Sequence, residues 1–237
     1  VGNVSPRDDA STPSPSRPVV RWFGGKWRLA PWIIEHLPPH RAYVEPFGGG
    51  GSVLLRKPRS YAEVYNDLDV EVVNLFRILR DDSLSARLVR LLQLTPFARE
   101  EFAESYGASD DPVERARRLV VLSFMGFGSN AHAKRSTGFR SNSTAAARRR
   151  RAIGLIIPRR AYRHEMNDDD HVALLAFLRT LKGAVVLSGY PHPLYDDALG
   201  DWHRVERSAY ADGARDRTEV LWINQAARAR MPAPMLL

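Results

Sequence analysis

Cysteine is absent from the 237 residues, which excludes disulfides and thiolate-held metals and suits a cytoplasmic protein. The seven histidines are scattered, and no His, Asp or Glu group falls at metal-ligand spacing, so no metal is expected. No apolar run approaches the roughly 18 residues that a membrane span requires, and no secretory signal is visible. No membrane partner is expected either. Acidic residues are missing from one long stretch: Arg115 to His164 holds thirteen Lys/Arg and not one Asp or Glu. The whole chain carries +8, which leaves −5 for everything outside that window. Charge concentrated in this way points to a polyanion partner, nucleic acid first, over a plain solvated face.

Hydrophobic residues make up 44% of the chain, enough to bury a core as one large domain or as one domain carrying an insertion. The stretch that organises it is Tyr43-Val44-Glu45-Pro46-Phe47-Gly48-Gly49-Gly50-Gly51-Ser52-Val53. Four glycines let the backbone turn tightly and approach a ligand, because no Cβ blocks either move. With Tyr43-Val44 closing a strand and Ser52 to Leu55 opening a helix, the spacing predicts a strand–glycine turn–helix unit. Such a unit binds nucleotide-like cofactors at the carboxyl edge of a parallel sheet. Glycines alone also make a bland surface turn; the neighbours Lys26, Phe47 and Asp67 favour the binding reading.

Residues 1–18 are rich in Ser, Pro and Asp and read as a disordered leader. Val19 to Lys26 brings a β-prone run to Gly24-Gly25-Lys26, and a helical pattern then runs to Leu37 before Pro38-Pro39. A lysine placed there beside Trp22 could grip a carboxylate or phosphate. Ala62 to Asp67 reads as a second strand ending in an acid, about 20 residues past the turn, where doubly wound folds place a ribose-binding carboxylate. Capping the run Val70 to Leu79 is the competing role for Asp67 or Asp69. Asp81 to about Arg118 looks helical, with Val120 to Met125 continuing its apolar face. A glycine-rich basic loop follows, carrying Asn130, Lys134, Arg135, Arg140 and Asn142, side chains suited to phosphates and base edges. A helical pattern returns from His171, Ala184 to Tyr190 is a buried-strand run, and Pro191 to Tyr195 reads as a rigid turn. Arg204 to Arg207 and Thr218 to Asn224 read as the last strands.

Trp22-Phe23-Gly24-Gly25-Lys26, Glu45 to Gly51, Tyr65-Asn66-Asp67, Leu187 to Tyr190 and Glu219 to Asn224, in that order, resemble the DNA adenine-N6 methyltransferases of the DNA adenine methylase type. The solitary enzymes of phages and prophages are the nearest in flavour. The resemblance implies an α/β fold: a Rossmann-like sheet binding S-adenosyl-L-methionine, with a mainly helical insertion that reads double-stranded DNA. It divides the chain into a discontinuous cofactor domain (19–80 and 161–224), a DNA-recognition insertion (81–160) and a tail (225–237), as a monomer. It places Trp22 and Lys26 at the methionine end of the cofactor, with Lys26 near the carboxylate. Phe47 would pack on the cofactor over Gly48 and Gly49, and Asp67 would take the ribose hydroxyls. Lys134, Arg135, Arg140, Asn130 and Asn142 would meet DNA.

One departure matters more than these matches. The family carries an Asp-Pro-Pro-Tyr tetrad (the first position sometimes Asn or Ser) after its fourth strand, and no such tetrad exists in this chain. The nearest place is Ile153 to Arg160, an apolar run into one proline and two arginines. The region from Asn142 to Arg160 is shorter than the family needs by roughly several tens of residues, about a strand and a helix. The fold is therefore read as truncated around the fourth strand. Three function classes follow: an adenine methyltransferase with impaired activity, a non-catalytic DNA-binding relic, or another Rossmann-type enzyme using a dinucleotide. The last lacks a clean Gly-x-Gly-x-x-Gly.

Overall fold

Two short strands, β1 (Ala42–Glu45) and β2 (Ala62–Tyr65), pair in parallel with Ala42 opposite Ala62 and Glu45 opposite Tyr65. They belong to a computed structural model that describes residues 15–126, 137–140, 166–210 and 216–231. Before them lies α1 (Ala30–Glu35), and after them come α2 (Val70–Leu79), α3 (Asp82–Leu94), α4 (Arg99–Glu104) and α5 (Pro112–Met125). The carboxyl-terminal part holds α6 (Asp168–Thr180), β3 (Val186–Gly189), α7 (Pro193–Ala198), β4 (His203–Tyr210), β5 (Asp216–Ile223) and α8 (Gln225–Arg228). The architecture is mixed α/β. No helix among the described residues is long and apolar enough to cross a membrane.

In the second sheet β5 lies between β3 and β4 and is antiparallel to both. Its buried run Val220-Leu221-Trp222-Ile223 has no polar alternation because both of its faces are covered. Leu221 and Ile223 join Ala30, Trp32 and Ile33 of α1, with Tyr43 of β1 packed alongside. Val220 and Trp222 join Leu175 of α6 and Trp202. The β1–β2 pair is packed on one side only, since Val44 and Val64, opposite each other in the register, are 59% and 51% exposed. Among the described residues β1 and β3 each keep one edge without a strand partner.

The long helical stretch expected from Asp81 is three helices. Pro96, lacking a backbone donor, falls between α3 and α4, and Gly107 between α4 and α5. Asp81 and Asp111 cap α3 and α5 by accepting backbone N–H groups. Val72, Leu75 and Ile78 of α2 share one core with Leu88, Phe102, Val113, Leu119 and Leu122 of the next three helices. Three further expectations need correction. The helix expected after the glycine turn is absent: the chain forms successive hydrogen-bonded turns, with Leu55 N–H to Gly51 O (2.9 Å) and Lys57 N–H to Val53 O (2.9 Å), before Pro58. The segment from Pro193 is not a rigid turn: proline at the first helical position opens α7, with His192 as its cap. The tail begins with a turn of helix, α8, whose Ala227 is buried and whose Asn224 cap also receives Val185 N–H at 3.1 Å.

The start of the basic window is committed within the helices. Arg115 meets Glu71 through Nε and Nη2, the shortest bond being 2.7 Å. Arg117, 9% exposed, donates to both oxygens of Glu114 (2.7 Å each) and to Glu101 (2.9 Å). Arg118 adds a bond to Glu114 at 2.8 Å. Those three donors hold the Glu114 carboxyl down to about 2. Arg115 and Arg117 bind helix to helix and Arg118 pairs within α5, so the surface charge expected from Arg115 onward begins later than the composition indicates.

Candidate binding site at the glycine turn

The turn after β1 is built by hydrogen bonds to the end of β2. Gly48 N–H donates to Asn66 O (2.9 Å) and Gly51 N–H to Gly48 O (2.8 Å). Gly49 and Gly51 sit at φ 47° and 63°, a region in which a side chain is strained. The Trp22 indole lies against Gly49, so a Cβ there would come within 2.6 Å of Nε1. Tyr65 closes the other side with its hydroxyl donating to Gly49 O at 2.7 Å.

Asp67 has a defined place in this frame. Its Oδ2 accepts Gly49 N–H at 2.7 Å and its Oδ1 accepts Asp69 N–H at 2.8 Å. Asp69, and not Asp67, caps α2, accepting Glu71 N–H at 2.9 Å. The two competing roles are thus divided between two acids. Phe47 stands at the rim with 57% of its surface exposed. Trp22, Gly48, Gly49 and Asp67 are brought together, with Phe47 beside them.

Lys26 turns to the other sheet. Its Nζ donates to Gly24 O at 3.1 Å and lies 3.7 Å from Oε2 of Glu219 on β5. The Tyr190 ring lies 5.3 Å from that ammonium and carries the Arg217 guanidinium at 4.4 Å. Burial lowers the Lys26 pKa and raises that of Glu219, and each charge partly offsets the shift of the other. Residues 22–26 therefore span from the glycine turn of the parallel pair to the carboxyl end of β3, where Gly189 pairs with Val220. Open α/β sheets bind ligands at such edges.

Sequence reasoning gave no role to Glu45, Tyr65 or Glu219. The signal for Glu219 was an acid inside an otherwise apolar strand, and that for Glu45 an acid closing β1 against the glycines. Glu45 Oε2 accepts Leu54 N–H (3.0 Å) and the Tyr43 hydroxyl (3.3 Å), which ties the residues after the turn back to β1. Burial pushes its carboxyl up to about 7 from an ordinary 4.5, against the lowering pull of those donors. An acid with a raised folded pKa binds its proton more tightly when folded. Its contribution is complete below the unfolded value and is lost as pH rises through the folded one. Urea unfolding should therefore show wild-type stability falling between about pH 5 and about pH 8, by up to roughly 3 kcal/mol from this group. Glu45→Gln keeps an acceptor without the titration and should flatten that slope. An unchanged slope would assign the titration elsewhere.

Of the five residues assigned to DNA, Asn130, Lys134, Arg135 and Asn142 lie outside the described residues, as do Ile153 to Arg160 and most of the leader. Arg140 is described. Its backbone N–H donates to Met125 O at 2.7 Å, and Phe139 bridges to Gly126 while packing on Phe97 and Phe102. The basic loop therefore leaves and returns at one place, the carboxyl end of α5.

The family model for D12 class N6 adenine-specific DNA methyltransferases matches residues 22–183. The chain is 32% identical over 117 residues to the DNA adenine methylase of Escherichia coli strain K12, covering 47% of this chain and 42% of that protein. It is 32% identical over 113 residues to the DNA adenine methylase of Serratia marcescens, covering 45% and 41%. It is 33% identical over 118 residues to the type II methyltransferase M1.LlaDCHI of Lactococcus lactis subsp. cremoris, covering 45% and 40%. The chain thus spans less than half the length of these relatives.

Proposed function

Because the chain belongs to the D12 class of N6 adenine-specific DNA methyltransferases, we propose that it binds S-adenosyl-L-methionine at the glycine turn and acts on adenine in double-stranded DNA, with methyl transfer impaired. The observation that carries the reading is the convergence of Trp22, Gly48, Gly49 and Asp67 at the carboxyl edge of β1 and β2, with Lys26 reaching across to β5. The residues present fit the cofactor. Each Asp67 oxygen takes one backbone N–H and retains a lone pair for a ribose hydroxyl. The exposed Phe47 ring offers a face to the adenine, and the glycines admit close backbone approach. Bound there, the cofactor supplies an electrophilic methyl group on sulfur.

In this reading β1–β2 and β3–β5–β4 are two parts of one Rossmann-like sheet, interrupted between the free edges of β1 and β3. The cofactor domain is formed by 19–80 and 161–224, and 81–160 is the DNA-recognition insertion with an internal deletion. Asn130, Lys134, Arg135, Arg140 and Asn142 supply phosphate and base contacts from the loop anchored at α5. The absence of an Asp-Pro-Pro-Tyr tetrad from the sequence favours a second reading, a non-catalytic DNA-binding relic of the family.

Calorimetry with S-adenosylhomocysteine, the demethylated cofactor, tests the site. Phe47 is exposed, so Phe47→Ala should leave the thermal unfolding midpoint unchanged while weakening binding by about 1–3 kcal/mol, the value of a base–aromatic stack. Equal affinity would remove Phe47 from the site. No binding by the wild type would end the cofactor reading.

A further inference from the structure

Glu219 is 5% exposed, and its Oε2 accepts no hydrogen bond from any described residue. A buried carboxylate oxygen without a donor carries its full desolvation penalty. The nearest cation offsets it only in part. Lys26 Nζ stands 3.7 Å away, within ion-pair range and beyond hydrogen-bond range, because it donates to Gly24 O at 3.1 Å. An ammonium carries three donors, and this bond uses one. Arg217, the other nearby cation, is stacked on Tyr190 and donates to its hydroxyl at 2.5 Å. The cluster therefore presents an anion lacking a donor beside a cation with donors to spare, at the carboxyl end of β3.

We propose that Lys26 and Glu219 form a subsite for an α-amino-acid zwitterion, in which Lys26 takes the carboxylate and Glu219 takes the ammonium. The inference rests on the cofactor reading above, which places a methionine end near Lys26 and assigns nothing to Glu219. The pairing of signs selects the ligand class. A simple anion would satisfy Lys26 and be repelled by Glu219, whereas a simple cation would meet Lys26 and Arg217. A zwitterion answers both charges within one small group. Trp22, four residues before Lys26, covers Gly49, so one continuous segment borders the glycine turn and this cluster.

Three ligands separate this subsite from the cofactor reading itself: S-adenosylhomocysteine, its analogue lacking the α-amino group, and 5′-methylthioadenosine, which lacks the whole amino-acid end. In calorimetry the wild type should lose about 10- to 100-fold in affinity on deamination, the value of a charge-assisted hydrogen bond. Glu219→Gln should bind S-adenosylhomocysteine roughly tenfold more weakly and leave the other two ligands unchanged. Equal wild-type affinities for the amino and deaminated ligands would overturn the subsite without any variant, and methylthioadenosine binding would still uphold the cofactor reading. Equal losses for all three ligands in Glu219→Gln would mark a structural effect and also overturn it. No binding of any ligand by the wild type would overturn both readings together.

Discussion

Incubated with tritiated S-adenosylmethionine and unmethylated double-stranded DNA, the chain should incorporate label at least about a hundred-fold more slowly than a version with an Asp-Pro-Pro-Tyr segment restored between Asn142 and Arg160. The motive is chemical. The exocyclic amine of adenine is a poor nucleophile because its lone pair is delocalised into the ring. Attack on the methyl group becomes easier when acceptors hold the amine protons and a ring stacks the extruded base. In the family the tetrad supplies both. Ile157-Pro158-Arg159-Arg160 supplies neither, having no carboxylate or amide side chain and no ring. Three acids that follow it, Asp168 to Asp170, are placed at the start of α6. Asp170 exchanges backbone bonds with the Asn167 cap at 2.9 Å in each direction, and Asp168 and Asp169 occupy the same first turn. Loss of a positioned acid–base group typically costs about a hundred- to ten-thousand-fold. Cofactor binding measured in parallel separates a chemical defect from an empty site. Equal incorporation by the two versions would mean that an acceptor elsewhere in the chain does this work.

The local elements were legible wherever one strong signal stood alone. The run Val70 to Leu79 with Asp69 before it is α2 to the residue, because an extended aspartate and an amphipathic run agree on one start. The run Thr218 to Asn224 is legible as a strand, whereas Ala184 to Tyr190, expected as a buried strand, holds only the half-buried β3. Breaks inside helical patterns were harder, since the leucine spacing of α3 continues in phase toward Phe97 and Phe102 across Pro96. The site was partly legible for a related reason. Glycines and an acid at nucleotide-binding spacing mark Gly48, Gly49 and Asp67 in one dimension. The Lys26–Glu219 pair joins residues far apart in sequence and needs the fold to be seen. Charge composition misled in one respect. Arg115, Arg117 and Arg118 add to a basic window on paper, yet they face Glu71, Glu101 and Glu114, acids that precede it in the sequence.

Gly48→Ala should lower the unfolding free energy by about 2–4 kcal/mol, whereas Gly50→Ala, two residues on, should cost less than about 1 kcal/mol. Backbone strain does not cause the difference, because neither residue has a positive φ. Space does. A Cβ at Gly48 would fall under 3.0 Å from Cδ2 and Cε2 of Tyr65, while one at Gly50 would meet Trp22 Cβ at 3.3 Å, a contact that a small shift relieves. Tyr65 has little freedom to retreat. Its ring packs edge-on against Phe76 at 5.0 Å between centroids, and its hydroxyl donates to Gly49 O at 2.7 Å. Displacing the ring breaks that hydrogen bond and loosens the turn whose N–H groups meet Asn66 and Asp67. A double-mutant cycle isolates the clash. In a Tyr65→Ala background the ring is gone, so adding Gly48→Ala should cost at least about 1 kcal/mol less than it does in the wild type. Urea titrations of the four proteins measure this coupling. A cycle that closes at zero would show that Gly48 is not held to glycine by the Tyr65 ring.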